Sequence, residues 1–534
     1  MNKIYKIVWS KAKHAYVVTS EVARSHTKSA SGKAVKAALA AAVGMGVLMG
    51  GYTANAADTT TGSGSGVAYG TGSNAPKAEN VAIGKDATIS YSGGVGMPST
   101  GDIVIGNKAK TNNYIDQGGG IAIGSNSFVE NMVGGLERSF DFNQAGYNTL
   151  PFIGTPYGLP KHPDKMVTGV AIGQNTYARS GSVMLGTHNY KGALGDVTVD
   201  SADVRSHNLL PFATALGANS YSHGLFSSVT GAYSIISSDY GSNSSAASKN
   251  FGATITGSLN SIESATSSSN YSGVANSIVG TANRTANSNG SLIFGAGNEI
   301  TNSIDSLSGT PTDGGASAKD LADTLRSAVR NSESGGATLA IGGGNKADYT
   351  QKTSIIGVNN TVTGTSRRPS TYNSITGFKN AAANVNHVSV IGSENEIENT
   401  DDALVLGNKR KLAGANGSVI LGSGDSVVTT SVANAVSIGH NANVTVAGGV
   451  ALGNGSVASV DKGVAGYDPS TKASSTDTSS TWKATEAAVS VGDTSKNITR
   501  QITGVAAGTE DTDAVNVAQL KKVEAKAEAA EKKH

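Results

Sequence analysis

The 534 residues include 69 glycines, 10 prolines and no cysteine, with 15% charged and 5% aromatic residues. So little charge and so few rings exclude an ordinary compact α/β enzyme, scarce proline without a Gly-X-Y period excludes collagen, and 38% hydrophobic content excludes full disorder. The missing cysteine rules out disulfides and thiolate chemistry, and the net charge of +2 divides into +7 over residues 1–56 and −5 beyond, which argues against nucleic acid as a partner.

The first predicted element is a leader over 1–56. Eight basic residues, with Glu21 alone opposing them, precede the small apolar run 37–51. That run is shorter than the roughly 20 residues a membrane-spanning helix needs. Ala54-Asn55-Ala56 follows, an A-x-A pattern that places signal cleavage between Ala56 and Ala57. The long basic region, with Tyr5, Trp9, Lys11, His14 and Tyr16, resembles the extended signal peptide of large Gram-negative autotransported proteins.

From there to about residue 500 an internal repeat governs the chain. Its unit is apolar-x-apolar-Gly followed by Asn, Ser or another small polar residue. Copies include VAIGKDA at 81–87, VIGNKA at 104–109, IAIGSNS at 121–127, VAIGQNT at 170–176, VMLGTHN at 183–189 and TALGANS at 214–220. A second series follows: LAIGGGN at 339–345, SVIGSEN at 389–395, LVLGNKR at 404–410, VILGSGD at 419–425, VSIGHNA at 436–442 and VALGNGS at 450–456. The turn glycines are Gly84, Gly106, Gly124, Gly173, Gly186, Gly217, Gly342, Gly357, Gly392, Gly407, Gly422, Gly439 and Gly453; steps of 14 and 15 dominate the later series.

Val81 and Ile83 flank Ala82 with the period of a strand. Gly84 ends it where a turn needs positive φ. Two short strands per coil of about 14–15 residues predict a parallel β-solenoid, stacked coil on coil. The residue before each glycine, Ile438 for example, is expected to point into the stack. Such slim coils have little interior, so further burial between chains is expected. The pattern weakens over 231–280, where Ser dominates and the coils around Gly231, Gly257 and Gly280 read as degenerate.

Four gaps exceed one coil: 125–169, 187–213, 296–338 and 454–491. The first holds Phe128, Phe140, Phe142, Tyr147, Phe152 and Tyr157, a candidate ligand surface in a chain otherwise poor in rings. The third contains a helix signal: Ser317 and Asp320 in capping-box spacing, then Leu321, Leu325 and Val329 on one face.

After Ile502 a helix former takes over, and Leu520, Val523, Ala527 and Ala530 step with coiled-coil rhythm. GVAAGTEDTDAVNVAQL at 504–520 closely resembles the neck of trimeric autotransporter adhesins. GVAGYDPST at 463–471, TWKATEAAVSVGD at 481–493 and ITRQITGVAAG at 498–508 resemble the end of their YadA-like heads. The resemblance implies an all-β head over 57–500, a left-handed parallel β-roll shared by three chains, then a neck over 501–520 and the start of a coiled-coil stalk over 521–534. It implies polar neck contacts from Glu510, Asp511, Thr512, Asp513 and Asn516, and a trimer core of Val515, Val517 and Leu520. The family's membrane β-barrel anchor is missing from these 534 residues, so the sequence reads as a fragment, or as a head separated from a longer product.

No His pair at metal-binding spacing, nucleophile elbow or phosphate loop occurs, and no cofactor is expected. The serious enzymatic alternative is a carbohydrate-active β-solenoid, a polysaccharide lyase or hydrolase. Glu394, Glu396, Glu398, Asp401 and Asp402 come closest to its needs and read better as a solvated acidic loop. The reading is an exported, surface-exposed homotrimeric head that attaches to a host matrix protein, a cell-surface glycan or another bacterial surface, without catalysis. It would touch the membrane only through the missing anchor.

Overall fold

The computed structural model describes residues 5–10, 15–20, 61–91, 101–113, 118–131, 168–190, 199–201, 204–205, 208, 212–237, 249–264, 272–304, 318–330 and 336–532. The chain divides into two units, Met1–Thr59 and Thr60–His534.

In the first unit, Tyr5–Ser10 pairs antiparallel with Ala15–Ser20, Trp9 opposite Tyr16. Both segments are rich in β-branched and aromatic residues, which suit a pleated ribbon. The apolar run and the cleavage position at Ala56 and Ala57 lie outside the described residues.

In the second unit most coils contribute one strand to each of two walls. The first wall is one continuous parallel sheet that begins at Val67–Tyr69 and Val81–Ile83 and ends at Val450–Leu452 and Val489–Ser490. The second wall consists of a 4-stranded sheet and then an 11-stranded sheet, from Thr88–Tyr91 to Val428–Thr430. A third, narrow edge appears where Thr350–Gln351 pairs with Ser370–Thr371, continued by bridges from Thr371 to Asn386 and from Asn386 to Asp401. Insertions do not disturb register: Ile123 pairs with Ile172 across the first gap, and Gly295 with Gly342 across the third.

The glycine column is demanded twice over. Gly173 sits at φ 128°, where side chains are strained, and a Cβ there would come within 1.6 Å of the Gly186 carbonyl oxygen in the next coil. Gly231, Gly257 and Gly280 belong to the same column, so the described parts of the Ser-rich stretch keep the turn geometry of the other coils.

One expectation is reversed. The interior takes the middle residue of each apolar-x-apolar triplet, not the flanking ones. Ala82, Val104, Ala122, Ile255, Ile293 and Val405 are fully buried. In VSIG it is Ser437 that is buried, while Ile438 is 39% exposed on the outer face. Alternation separates two faces but does not say which is inside, and here both are apolar.

The glycine turn also carries an interior polar column. Three residues after each glycine stand Asn260, Asn283, Asn298, Asn345, Asn360, Asn380 and Asn395, all buried. From Asn283 onward each amide nitrogen donates to the preceding Asn oxygen and to a glycine carbonyl; Asn360 Nδ2 reaches Asn345 Oδ1 at 3.0 Å and the Gly377 oxygen at 2.8 Å. The ladder ends at Arg410, 1% exposed, whose backbone N donates to Asn395 Oδ1. Its guanidinium donates to the carbonyls of Gly422, Ala442 and Gly439 at 2.6, 2.7 and 3.1 Å. Burial lowers its pKa, and three oriented carbonyls stand where a carboxylate would.

Candidate functional site

The surfaces offered to a partner are the outward faces of the two walls, the insert regions and the neck. The outer face of the first wall is uncharged along its described length. It presents Ile103, Ile105, Leu185, Phe294, Ile391, Leu406, Ile438 and their equivalents, many more than a third exposed. Contiguous apolar surface of this kind marks an interface.

The outer face of the second wall is the opposite. Glu263, Arg284, Glu299 and Lys346 follow one another up successive strands. Arg284 pairs with Glu263 at 2.8 Å and Glu299 at 2.7 Å; these partners hold its guanidinium above its ordinary pKa. Further along, Lys411 pairs with Glu396 at 2.8 Å. This wall is built to face water. The acidic residues of 394–402 are not one loop: Glu396–Glu398 is a strand with both carboxylates exposed, Glu394 and Asp402 sit in exposed turns, and Asp401 is held by Arg368 at 2.9 Å. Among the described residues no group of three or more His, Asp or Glu side chains gathers to hold a metal.

Phe128 is not a ligand surface. It is 3% exposed, on a strand of the second wall, with its ring at 5.3 Å and 73° to Tyr177. With Tyr190, Val199 and Val204 it forms a satellite core beneath the second insert. Coil structure continues to Asn131, past the expected start of the first insert. Phe140, Phe142, Tyr147, Phe152 and Tyr157 lie outside the described residues.

A charge cluster fastens that satellite core. Glu130 is buried and meets Arg179 at 3.3 Å and Arg205, and Tyr177 Oη donates to it at 2.5 Å. Burial pushes the Glu130 carboxyl up, but the hydrogen bonds from Arg205 and Tyr177 and the arginine charges outweigh it and leave its pKa lowered. Burial raises the Tyr177 hydroxyl. The third insert contributes helix α1 (Ala318–Arg330), with Leu325 reaching over Gly252 in the coil stack and Ala328 buried.

At the far end Arg500 lies over Gly453 and donates to Ser456 Oγ at 2.9 Å and the Asn454 carbonyl at 2.6 Å. It borders a cleft of 380 Å³ lined also by Val457, Val460, Val489 and Ile498. In the neck, Asp513 accepts from the backbone N of Thr509 and Glu510 at 2.9 and 3.1 Å, which lowers its pKa. Glu510, Asp511 and Thr512 form the exposed turn it closes. Asn516 caps helix α2 (Val517–Glu531) in a capping box with Gln519 and reaches the Val505 carbonyl at 3.3 Å. Asp513 and Asn516 therefore serve their own chain, whereas Val515, Val517, Leu520 and Val523 are all more than 60% exposed.

Sequence reasoning missed the asparagine column and the charge ladder. Both become visible when the repeats are aligned on glycine, because the asparagines stand three residues past it and Arg284, Glu299 and Lys346 four, with Glu263 at six.

Two family models match the ends of the chain. Residues 1–50 match the extended signal peptide of the type V secretion system, and residues 501–532 match the coiled stalk of trimeric autotransporter adhesin. A 72-residue stretch is 64% identical to the autotransporter adhesin BadA of Bartonella henselae, covering 14% of this chain and 2% of that protein. A 71-residue stretch is 55% identical to the trimeric autotransporter adhesin AtaA of Acinetobacter sp. (strain Tol 5), covering 13% and 2%. The chain thus matches only a small part of each relative's length. Among solved structures, the collagen-binding domain of the Yersinia adhesin YadA aligns at 25% identity and a TM-score of 0.18, over 35% of this chain and 82% of that one.

Proposed function

Because the chain belongs to the YadA-like trimeric autotransporter adhesins, we propose that its coil stack is the adhesive head of a homotrimer exported to the surface of a Gram-negative bacterium. The observation that carries this reading is the contrast between the walls. Three copies closing on the uncharged face of the first wall would bury the exposed aliphatics that a single chain leaves in water, at about 25 cal/mol per Å² of apolar surface removed. The charge-laddered second wall then faces outward. The exposed aliphatics of Val515, Val517, Leu520 and Val523 extend the same burial into neck and stalk. Three heads on one stalk raise avidity where each contact is modest.

On this reading the head attaches to host cells, extracellular matrix or other bacteria, without catalysis. Its contact surfaces are the second wall and the inserts, with Phe140, Phe142, Tyr147, Phe152 and Tyr157 as the aromatic candidates. The leader is removed between Ala56 and Ala57. Binding of the assembled protein to arrays of matrix proteins and glycans is the test, before and after residues 132–167 are exchanged for a short Gly/Ser turn. Trimeric protein that adheres to none of these surfaces would sink the adhesin reading. Release of soluble product from a glycan would revive the enzymatic one.

A further inference from the structure

The uncharged face of the first wall is not apolar throughout. On successive, directly paired strands its outward positions are Ser228 and Thr230, then Thr254 and Thr256, then Ser277 and Val279. Before this belt come Val183 and Leu185, then Thr214 and Leu216, and after it Leu292, Phe294, Leu339 and Ile341. The inward residues of the same strands, Val229, Ile255 and Ile278, are buried and apolar. The change is therefore confined to the face that looks away from the coil. A single later coil, Ser374 and Thr376, has the same character but lies between Ile356 and Ile391; only the belt removes large side chains over consecutive coils.

Three strands at the usual spacing make the belt about 14 Å tall.

Resting on the homotrimer reading, we propose that this hydroxyl belt is a hydrated seam that splits the interface between copies of this chain into two apolar blocks. One block runs from Val67 to Leu216 and the other from Leu292 to Leu452. Where three belts meet, small hydroxyl side chains leave space, and their oxygens need partners. Thr254 Oγ1 already donates to Ser277 Oγ at 3.0 Å, which leaves further lone pairs for water or for the neighbouring chain. Apolar burial, the main drive for association, is lost at this level, so each block holds on its own side of the seam.

The absence of cysteine makes the test clean, because one introduced thiol is the only one present. Ile105→Cys, Thr256→Cys and Leu406→Cys probe the first block, the belt and the second block in the assembled chain. A hydrated seam predicts maleimide labelling at 256 on the order of tenfold faster than at 105 or 406, with 105 and 406 becoming reactive at different temperatures, as separable units do. Filling the belt with Thr230→Val and Thr254→Val should slow labelling at 256 and bring the two block transitions together. A trimer in which all three thiols are equally protected, or in which 105 and 406 open together without the filling substitutions, overturns the seam alone. A chain that sediments as a monomer at every concentration overturns the trimer reading and the seam with it.

Discussion

The coils of 61–190 and those of 254–412 share one backbone plan and stabilise it differently. In the early coils the column three residues past the glycine is Ser73, Ala87, Ala109, Ser127 and Thr176, with an asparagine only at its end, Asn189, and many of the inward strand residues are alanine. Polar groups inside are met by an irregular cluster: Asp102 accepts from Tyr91 Oη at 2.8 Å, Asn113 Nδ2 at 3.1 Å and the Gly120 N at 2.9 Å. In the later coils the inward residues are largely isoleucine and valine, and the column is the asparagine ladder. A ladder satisfies every rung by the same two bonds, so it tolerates insertions between coils: Asn298 and Asn345 bond across 47 residues as well as Asn345 and Asn360 do across 15. The cost is interdependence, because a missing rung leaves groups unpaired on both sides.

The largest effect should come from breaking a rung. Asn360→Leu leaves Asn345 Oδ1, the Asn380 N and the Gly377 carbonyl short of partners, and is expected to cost about 3–5 kcal/mol in denaturant unfolding. Ala109→Ser in the early coils should cost under about 1 kcal/mol, since a small hydroxyl can bond locally as Ser127 does to the Gly124 carbonyl. Equal losses at the two positions would erase the distinction between the regions.

Next is the ladder's terminus. Arg410→Ala strands three carbonyls and opens a cavity, and should cost about 3 kcal/mol by the same measurement. An unchanged unfolding midpoint would mean that neighbouring coils collapse onto the site.

The early region alone should carry strong pH dependence, with two opposing contributions. Burial raises the Asp102 pKa, so its contribution to stability is full below the unfolded-state value near 4 and is lost as pH rises through the raised folded value. The Glu130 pKa is lowered, so its contribution is present above the unfolded value and is lost as pH falls through the folded one. Melting temperature followed from pH 3 to 8 should lose its decline with rising pH in Asp102→Asn and its decline with falling pH in Glu130→Gln. If neither substitution changes the profile, other groups dominate the acid response.

The smallest effect on the coil itself is expected on the outer face. Ile438→Asp should change the unfolding free energy of an unassembled chain by no more than about 0.5 kcal/mol, because the side chain lies outside the stack. Sedimentation of the same variant should show weakened association, since three carboxylates would meet at one level. A large drop in coil stability with association intact would return Ile438 to the interior.

Much of this molecule is written locally. Glycine at a fixed offset from paired aliphatics determines the coil, because no other residue fits the positive φ and the approach of the next backbone. Helix α1 begins where the Ser317 and Asp320 spacing expects one, and helix α2 covers the coiled-coil step of Leu520, Val523, Ala527 and Ala530. Asn516 reads as a neck contact from sequence and acts as a helix cap, since one side chain suits both roles until the backbone is placed. The tertiary structure alone decided which strand face is interior. Period two distinguishes the faces of VSIG, but only closure of the coil puts Ser437 inside and Ile438 out. It also decided that asparagines which look like turn residues form a continuous ladder, that Arg410 can be buried without a carboxylate, and that Phe128 is covered by the second insert. Each of these depends on partners a coil or more away in the chain, brought together only by stacking.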